Sequence, residues 1–143
     1  MSKLGSFDYS QFKKMAENLQ NALNSNVIDE FMEEFLLEMA FRAERKIKKR
    51  TPVGVYSGGK TGGNLKRNWQ IGSVVKEGDS YLVDIYNNVE YCSYVENGHR
   101  TVDHKGWVEG RFMMKISMDE IEKEIPRFLE KKQVQLLNQI LGR

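Results

Sequence analysis

One long run of apolar residues at helical spacing constrains the fold more than any other feature of this sequence. The apolar side chains recur every three or four residues and form one broad stripe: Val27, Ile28, Phe31, Met32, Phe35, Leu36, Met39, Ala40, Ala43 and Ile47. Acidic residues occupy the first turn and basic residues the last, which the helix dipole favours: Asp29 and Glu30, then Lys46, Lys48, Lys49 and Arg50. A residue before proline avoids the α conformation, so we expect the helix to end at Thr51-Pro52.

The composition indicates one soluble globular domain. The chain has 143 residues, of which 40% are apolar and 29% charged, so we expect a single domain over residues 1–143 with a real hydrophobic core. A formal net charge of +2 does not by itself point to nucleic acid or a membrane. A single cysteine, Cys92, excludes an internal disulfide framework, and neither a secretory signal nor a membrane-spanning run is visible. We therefore expect a protein made and assembled in the cytosol.

Helical patterns also stand at both ends of the chain. The segment "DYSQFKKMAENLQNALN" carries apolar residues at helical spacing, and Asp8 with Gln11 has the pattern of a capping box. Near the C-terminus "RFMMKISMDEIEKEI" is followed by Pro126 and "RFLEKKQVQLLNQIL". Proline disrupts a helix interior, so Pro126 either kinks one long helix or begins a second one.

The middle of the chain predicts a β-hairpin over about residues 69–88. The runs "WQIGSVVK" and "SYLVDIYNN" are joined by Glu77-Gly78-Asp79, and the second run alternates between two faces of a sheet. Short helices are expected between about Thr61 and Trp69, and from Tyr91 to Gly98, whereas Arg100 to Gly110 is expected to be a polar loop. The predicted fold is α+β: N-terminal helices and a long C-terminal helix packed on a small antiparallel sheet.

The stretch "EYCSYVENGHR", followed closely by "DHKGW", is the candidate for chemistry. Zinc accepts side chains of the types found here, but their spacing matches no compact zinc motif, and the chain has no CxxC or HExxH pair: Cys92, His99, Asp103 and His104. A lone cysteine between two tyrosines is more typical of a packed side chain than of a nucleophile. We therefore predict no catalytic residue, no metal and no cofactor. A metal-dependent enzyme built on His99, Asp103 and His104 is the alternative.

The basic run "RAERKIKKR" has two interpretations. It complements the dipole at the end of the long helix, or it touches DNA phosphates through Lys46, Lys48, Lys49 and Arg50 if the protein surrounds passing DNA. The second interpretation predicts an adaptor that contacts DNA.

The order of motifs resembles one known family. "RTPV", a glycine-rich loop, "TGGNLKRNW", a hairpin, "YCSYVENGHR" and "GWVEGRFM" together look like the tail-completion family of tailed bacteriophages. Its members are also called head–tail joining, neck or minor tail-component proteins, and they occur in phages, prophages and phage-tail-like bacteriocins. The resemblance covers about Arg50 to Met114. Cys92 stands where the family more often has alanine, which favours packing over reactivity.

The resemblance implies a structural, non-enzymatic role. Such proteins form rings, expected to be hexameric, at the head-proximal end of a tail, as a terminator, collar or head–tail joining ring. The implied partners are other copies of the chain, the tail-tube protein, a sheath protein, and connector or neck proteins where a capsid exists. DNA would be met only in passing through the lumen, and no membrane is involved. The implied location is the virion or tail-like particle.

Two surfaces are predicted to make these contacts. The resemblance, together with the enrichment of aromatic and arginine side chains in interfaces, assigns one set to a subunit or partner interface: Tyr91, Tyr94, Glu96, His99, Arg100, Trp107 and Arg111. Glu96 and Arg100, four apart, are expected to pair within one subunit or across to a neighbour, whereas Trp69 is expected in the core. The glycine-rich loop is expected to be flexible and to order on contact with a neighbour, through Val53, Tyr56, Lys60 and Gly62.

Overall fold

A computed structural model describes residues 10–24, 26–54 and 62–141 of the chain. Its helices, in chain order, are α1 (Ser10–Asn24), α2 (Val27–Arg50), α3 (Asn64–Arg67), α4 (Cys92–Asn97) and α5 (Met113–Leu141). Its strands are β1 (Trp69–Ile71), β2 (Val75–Glu77), β3 (Ser80–Leu82), β4 (Ile85–Asn87), β5 (Gly98–Arg100) and β6 (Trp107–Glu109). Helices flanking small antiparallel sheets make this an α+β fold, which confirms the predicted class. The predicted capping box begins at Asp8, outside the described residues.

The long helix predicted from the apolar stripe is α2. It runs from Val27 to Arg50, and the backbone N–H of Thr51 bonds to the carbonyl of Lys48 at its end. Its buried residues all lie from Phe35 onward: Phe35, Met39, Ala40, Ala43 and Ile47. The part of α2 before Phe35 is more open to solvent, although α1, the end of α5 and the β2–β3 hairpin lie beside it.

The C-terminal pattern folds as one continuous helix, α5, with Pro126 inside it. Proline removes one backbone hydrogen bond, but contacts with α2 hold the helix on both sides of that position. Before it, Glu124 pairs with Lys46 of α2 at 3.3 Å, and two further contacts follow it. Arg42 stacks over the ring of Phe128 at 4.1 Å, and Lys132 pairs with Glu38 at 3.3 Å. Of the two sequence-based alternatives for Pro126, a new helix beginning there is therefore wrong.

The core lies where α2, α3, β1 and the start of α5 meet. Ile47, Leu65, Trp69 and Met113 form a buried cluster, and half-buried residues such as Ile85 and Val95 pack against it. Trp69 is buried, as predicted, and its indole N–H donates to the hydroxyl of Thr51 at 2.9 Å. That hydroxyl in turn donates to the carbonyl of Ile47 at 2.7 Å, so the buried polar groups are satisfied.

The predicted hairpin over residues 69–88 is present as two antiparallel ladders. β1 pairs with β4, and β2 pairs with β3 in a register that sets Glu77 opposite Ser80, so Gly78 and Asp79 make the turn. Asp29 in the first turn of α2 holds β2 and β3, because it accepts hydrogen bonds from Lys76, at 2.9 Å, and from the hydroxyl of Tyr81.

One element, the β5–β6 strand pair, is not predicted by the sequence. Residues 100–110 were expected to be a loop, but the structure pairs β5 with β6, setting Arg100 opposite Trp107. Each strand has three residues, too few for a visible alternation of apolar and polar side chains. Trp69 also lies in β1 rather than at the end of a helix, since α3 ends at Arg67.

Candidate functional site

The segment "EYCSYVENGHR" folds as a short helix that turns directly into a strand. α4 ends at Gly98, whose backbone N–H bonds to the carbonyl of Tyr94, which confirms the predicted helix end. Gly98 has a φ of 88° and lies against β6, so that an added Cβ would be 2.6 Å from the carbonyl oxygen of Val108. Only glycine fits both that φ and that space. Gly98 therefore sets the direction in which β5 continues from the end of α4.

The strand pair β5–β6 and its flanks form an exposed arm that we call the basic hairpin, residues 98–111. Both faces of β6 are open to solvent, since Trp107 is 56% and Val108 44% exposed, and Val102 in the connecting loop is fully exposed. A two-stranded ribbon that buries neither face is marginally stable by itself. An exposed arm of this kind is typical of an element that another chain covers.

The loop between β5 and β6 is ordered by its own hydrogen bonds. Thr101 donates its hydroxyl to Asp103 at 2.5 Å and its backbone N–H to Gly106 at 3.0 Å, and Asp103 also accepts from the backbone N–H of Lys105 at 3.0 Å. The hydroxyl of Thr101, with the Lys105 N–H, holds the pKa of Asp103 below its ordinary value. The Asp103 carboxylate is therefore engaged in hydrogen bonds within the loop.

The metal alternative gains no support from this geometry. His99 directs its Nδ1 at the carbonyl of Arg100, at 2.8 Å, and Asp103 is used within the loop. Across residues 10–24, 26–54 and 62–141, no three His, Cys, Asp or Glu side chains converge in an arrangement that could hold a metal ion.

The aromatic residues predicted for the interface are exposed and lie near one another. Tyr94 is 59% exposed and meets the ring of His99 edge-on, with 5.9 Å between the ring centroids. Trp107 extends over Gly98, and Tyr91 is also exposed. Arg100 and Arg111 are exposed and take part in none of the ion pairs found among the described residues.

Within the subunit, the Glu96 carboxylate has different hydrogen-bond partners from the Arg100 side chain that its spacing predicts. Its carboxylate accepts the backbone N–H groups of Met114, at 2.9 Å, and Lys115, at 3.0 Å, at the start of α5. It therefore caps α5 instead of pairing with Arg100 in the same subunit. The backbone N–H of Arg111 also bonds to the carbonyl of Val95, at 2.7 Å, so that α4 and the end of the basic hairpin are tied together.

Cys92 is a packed side chain. It lies against the core cluster of Ile47, Leu65, Trp69 and Met113. Burial raises the pKa of its thiol, and the negative charge of Glu96 adds to that shift. A thiol with a raised pKa carries little thiolate near neutral pH, which is unfavourable for a nucleophile.

The basic residues at the end of α2 are mostly paired within the chain. Lys46 contacts Glu120 at 3.0 Å and Glu124 at 3.3 Å, and Arg50 contacts the same Glu120. Lys48 pairs with Glu44 at 2.6 Å, whereas Lys49 is exposed. The predicted DNA contact therefore has fewer available positive charges than the sequence run indicates.

The predicted contact loop is described only at its ends. Val53 is exposed, and the carbonyl of Gly62 accepts from the Arg67 guanidinium at 2.8 Å. Tyr56 and Lys60 lie outside the described residues.

A cleft of about 530 Å³ between α1, α2 and α5 lies apart from these residues. Amides and charged groups such as Asn18, Glu34 and Lys132 line it together with Phe31 and Leu136, and none of the residues predicted for the interface is among them. The aromatic and arginine side chains predicted for the interface therefore lie outside this cleft.

The acidic turn of the first hairpin, Glu77 to Asp79, is not among the residues that the sequence predicts for an interface. Glu77 and Asp79 are exposed beside the apolar residues Val75 and Leu82, which face each other across β2 and β3. The features that mark this surface are a strand pair with carboxylates at its turn and exposed apolar residues on its strands.

Comparison with known proteins identifies the family. The family described as "Bacteriophage HK97-gp10, putative tail-component" matches residues 13–98, more than half of the chain. No curated protein and no solved structure matches the chain. None of the helices in the described part of the chain has the length and apolar character that crossing a membrane requires. From the motifs, the fold and this match, the chain belongs to the HK97-gp10-like family and is a structural component associated with bacteriophage tails.

Proposed function

We propose that this protein is a ring-forming subunit at the head-proximal end of a phage or phage-tail-like particle, where it terminates the tail or joins it to the connector. Several copies form the ring, which then meets the tail-tube protein. The role is to present interfaces, and no reaction is assigned to it.

The observation that carries this proposal is the exposed basic hairpin. It presents Trp107 and Arg100 next to the exposed Tyr94 of α4, and all three are residue types that dominate the binding energy of protein interfaces. In the isolated subunit these side chains remain in water, although the hairpin is fixed to the domain through Gly98 and the Arg111–Val95 hydrogen bond. A rigidly held, uncovered aromatic surface on a tail component supports assembly as its purpose.

The alternative of a DNA-contacting adaptor has weaker support. Lys46 and Arg50 are paired with Glu120 and Glu124, and Lys48 is paired with Glu44. Breaking such pairs to reach phosphates would reduce the gain from DNA binding. The alternative predicts steep salt dependence, which a binding measurement at two ionic strengths would detect.

The proposal is tested by the mass of the protein in solution, measured by light scattering with and without its tail-tube protein. We expect either a ring or a monomer that assembles only on the tube; the resemblance implies six copies of the 16.6 kDa chain. The variants Tyr94→Ala and Arg100→Ala should stay folded by circular dichroism and fail to assemble. Lys123→Ala, an exposed change on α5, is the control and should assemble normally.

Two results would contradict the proposal. A wild-type protein that stays monomeric and ignores the tube would remove the ring. Unfolded Tyr94→Ala or Arg100→Ala variants would move those residues from the interface to the interior of the subunit.

A further inference from the structure

We infer that neighbouring copies contact each other head to tail, with the basic hairpin of one subunit docked on the β2–β3 hairpin of the next. This inference rests on the proposed ring and names the two surfaces that close it. We call the second surface the acidic hairpin, residues 75–82.

The acidic hairpin carries uncompensated negative charge. Its one lysine, Lys76, is paired with Asp29 of α2 at 2.9 Å. Glu77 and Asp79 flank Gly78 at the turn, and both are exposed and absent from the ion pairs seen in the described residues. The turn therefore presents two free carboxylates to solvent.

The basic hairpin carries the opposite charge. Arg100, Lys105 and Arg111 are exposed, and they too are absent from the ion pairs within the described ranges. Of its two carboxylates, Asp103 already accepts hydrogen bonds from Thr101 and the Lys105 backbone, which leaves Glu109. Complementary potentials of this kind fix the register of an interface and steer its formation.

Both hairpins also expose apolar surface that a docked neighbour would cover. Val75 and Leu82 are directly opposite each other in the β2–β3 ladder, so their side chains are neighbours, and they are 51% and 49% exposed. The basic hairpin offers Val102, Trp107 and Val108. Each ribbon has two strands among the described residues, so each also has open edges. Exposed ion pairs contribute little affinity alone, so we expect the apolar contacts to supply it and the charges to select the partner.

The two hairpins lie at opposite ends of α2, which makes the contact heterologous. The acidic hairpin is held by Asp29 in the first turn of α2. The basic hairpin leads into α5 at Met113, which packs on Ile47 near the last turn of α2. At a rise of about 1.5 Å per residue, Asp29 and Ile47 are separated by about 27 Å along the helix. A contact between two different surfaces repeats from copy to copy and produces a ring when the rotation closes.

A charge swap tests the inference. Reversing the basic hairpin (Arg100→Glu with Lys105→Glu) or the acidic hairpin (Glu77→Lys with Asp79→Lys) should weaken assembly at least tenfold, by light scattering over a concentration series. Combining the four substitutions in one chain should recover most of the loss, because the attraction is restored with the signs exchanged. Lys123→Glu with Lys131→Glu, a reversal of two exposed charges on α5 that changes the net charge as much as the basic-hairpin reversal does, should leave assembly unchanged.

Cross-linking tests the geometry independently. In a Cys92→Ala background, Asp79→Cys with Lys105→Cys should give a ladder of disulfide-linked oligomers on oxidation, and each single cysteine should give none above dimers. All variants should keep the circular dichroism of the parent chain, since the changed side chains at both turns are exposed.

The outcomes separate this inference from the proposed function. Wild type that assembles, with charge variants that assemble equally well and no ladder, would overturn the head-to-tail contact and leave the ring intact. Basic-hairpin variants that form rings but lose the tail tube would assign this surface to the tube protein and would also overturn the inference. Wild type that never assembles, alone or on the tube, would overturn the ring and the contact together.

Discussion

Replacing Gly98 by alanine should destabilise the subunit more than replacing any exposed glycine in a turn. Gly98 has φ 88° and ψ 171°, a backbone conformation that residues with side chains rarely adopt. A Cβ there would lie 2.6 Å from the carbonyl oxygen of Val108 and 2.9 Å from the backbone N of Gly110. These are backbone atoms, so they cannot rotate away, and β6 must shift from α4.

The magnitude follows from two contributions. The unfavourable backbone conformation costs about 1–3 kcal/mol. Forcing an extra carbon against the packed backbone of residues 108–110 costs about 1–3 kcal/mol more. We therefore expect Gly98→Ala to lower the free energy of unfolding by about 3 kcal/mol or more, which corresponds to a drop in Tm of about 10 °C for a domain of this size.

Gly78→Ala is the matched control. Gly78 also has a positive φ, 59°, but an added Cβ there meets nothing within 4 Å. Its cost is the backbone conformation alone, about 1 kcal/mol, or about 3 °C in Tm. Thermal and urea unfolding followed by circular dichroism, at a protein concentration where the subunit is monomeric, would measure both. Equal losses in the two variants would refute the argument, because the contact between Gly98 and β6 would then contribute nothing.

Two further predictions concern carboxylates that contact the end of another helix: Glu120 at the end of α2, and Glu96 at the start of α5. The hydrogen bond from Lys46, with that from Arg50, holds the pKa of Glu120 below its ordinary value of 4.5. A group with a lowered folded-state pKa stabilises the fold above its unfolded pKa, and this stabilisation is lost as the pH falls through the folded-state pKa. The advantage of wild type over Glu120→Gln in urea unfolding should therefore be present at neutral pH and disappear on acidification below the ordinary pKa of 4.5. An advantage that persists in strong acid would contradict this. Glu96→Ala removes the cap of α5 and should lower the free energy of unfolding by about 1 kcal/mol in the same assay. Glu122→Ala removes an exposed carboxylate on α5 and should lower it by only about 0.3 kcal/mol. Equal losses would show that the cap does not stabilise the fold.

Much of the fold could be predicted because its signals are local. The apolar stripe, the charge distribution and Thr51-Pro52 predict α2 between its observed ends. Glu77-Gly78-Asp79 predicts the first hairpin, and Gly98 predicts the end of α4. Each of these depends on residues a few positions apart, where periodicity and backbone preference act directly.

The rest depended on contacts between distant parts of the chain. Pro126 is tolerated inside α5 because Arg42 and Glu38 of α2 hold the residues that follow it, and neither is near it in sequence. The spacing of Glu96 and Arg100 predicts a pair within one subunit or across to a neighbour, but within the subunit the Glu96 carboxylate accepts the amides at the start of α5. In the sequence, the basic run on α2 indicates several unpaired positive charges. In the folded chain, Glu120 and Glu124 of α5 pair with Lys46 of that run.

The sequence by itself determined the helices, the first hairpin, the family and the aromatic segment from Tyr91 to Arg100. Those features follow from periodicity, turn chemistry and motif order, all of which can be read along the chain. Only the tertiary structure decided that residues 98–111 form an uncovered basic arm, and that an acidic hairpin lies at the other end of α2. Exposure and separation are properties of the packed molecule, because they depend on which elements α2 and α5 leave uncovered.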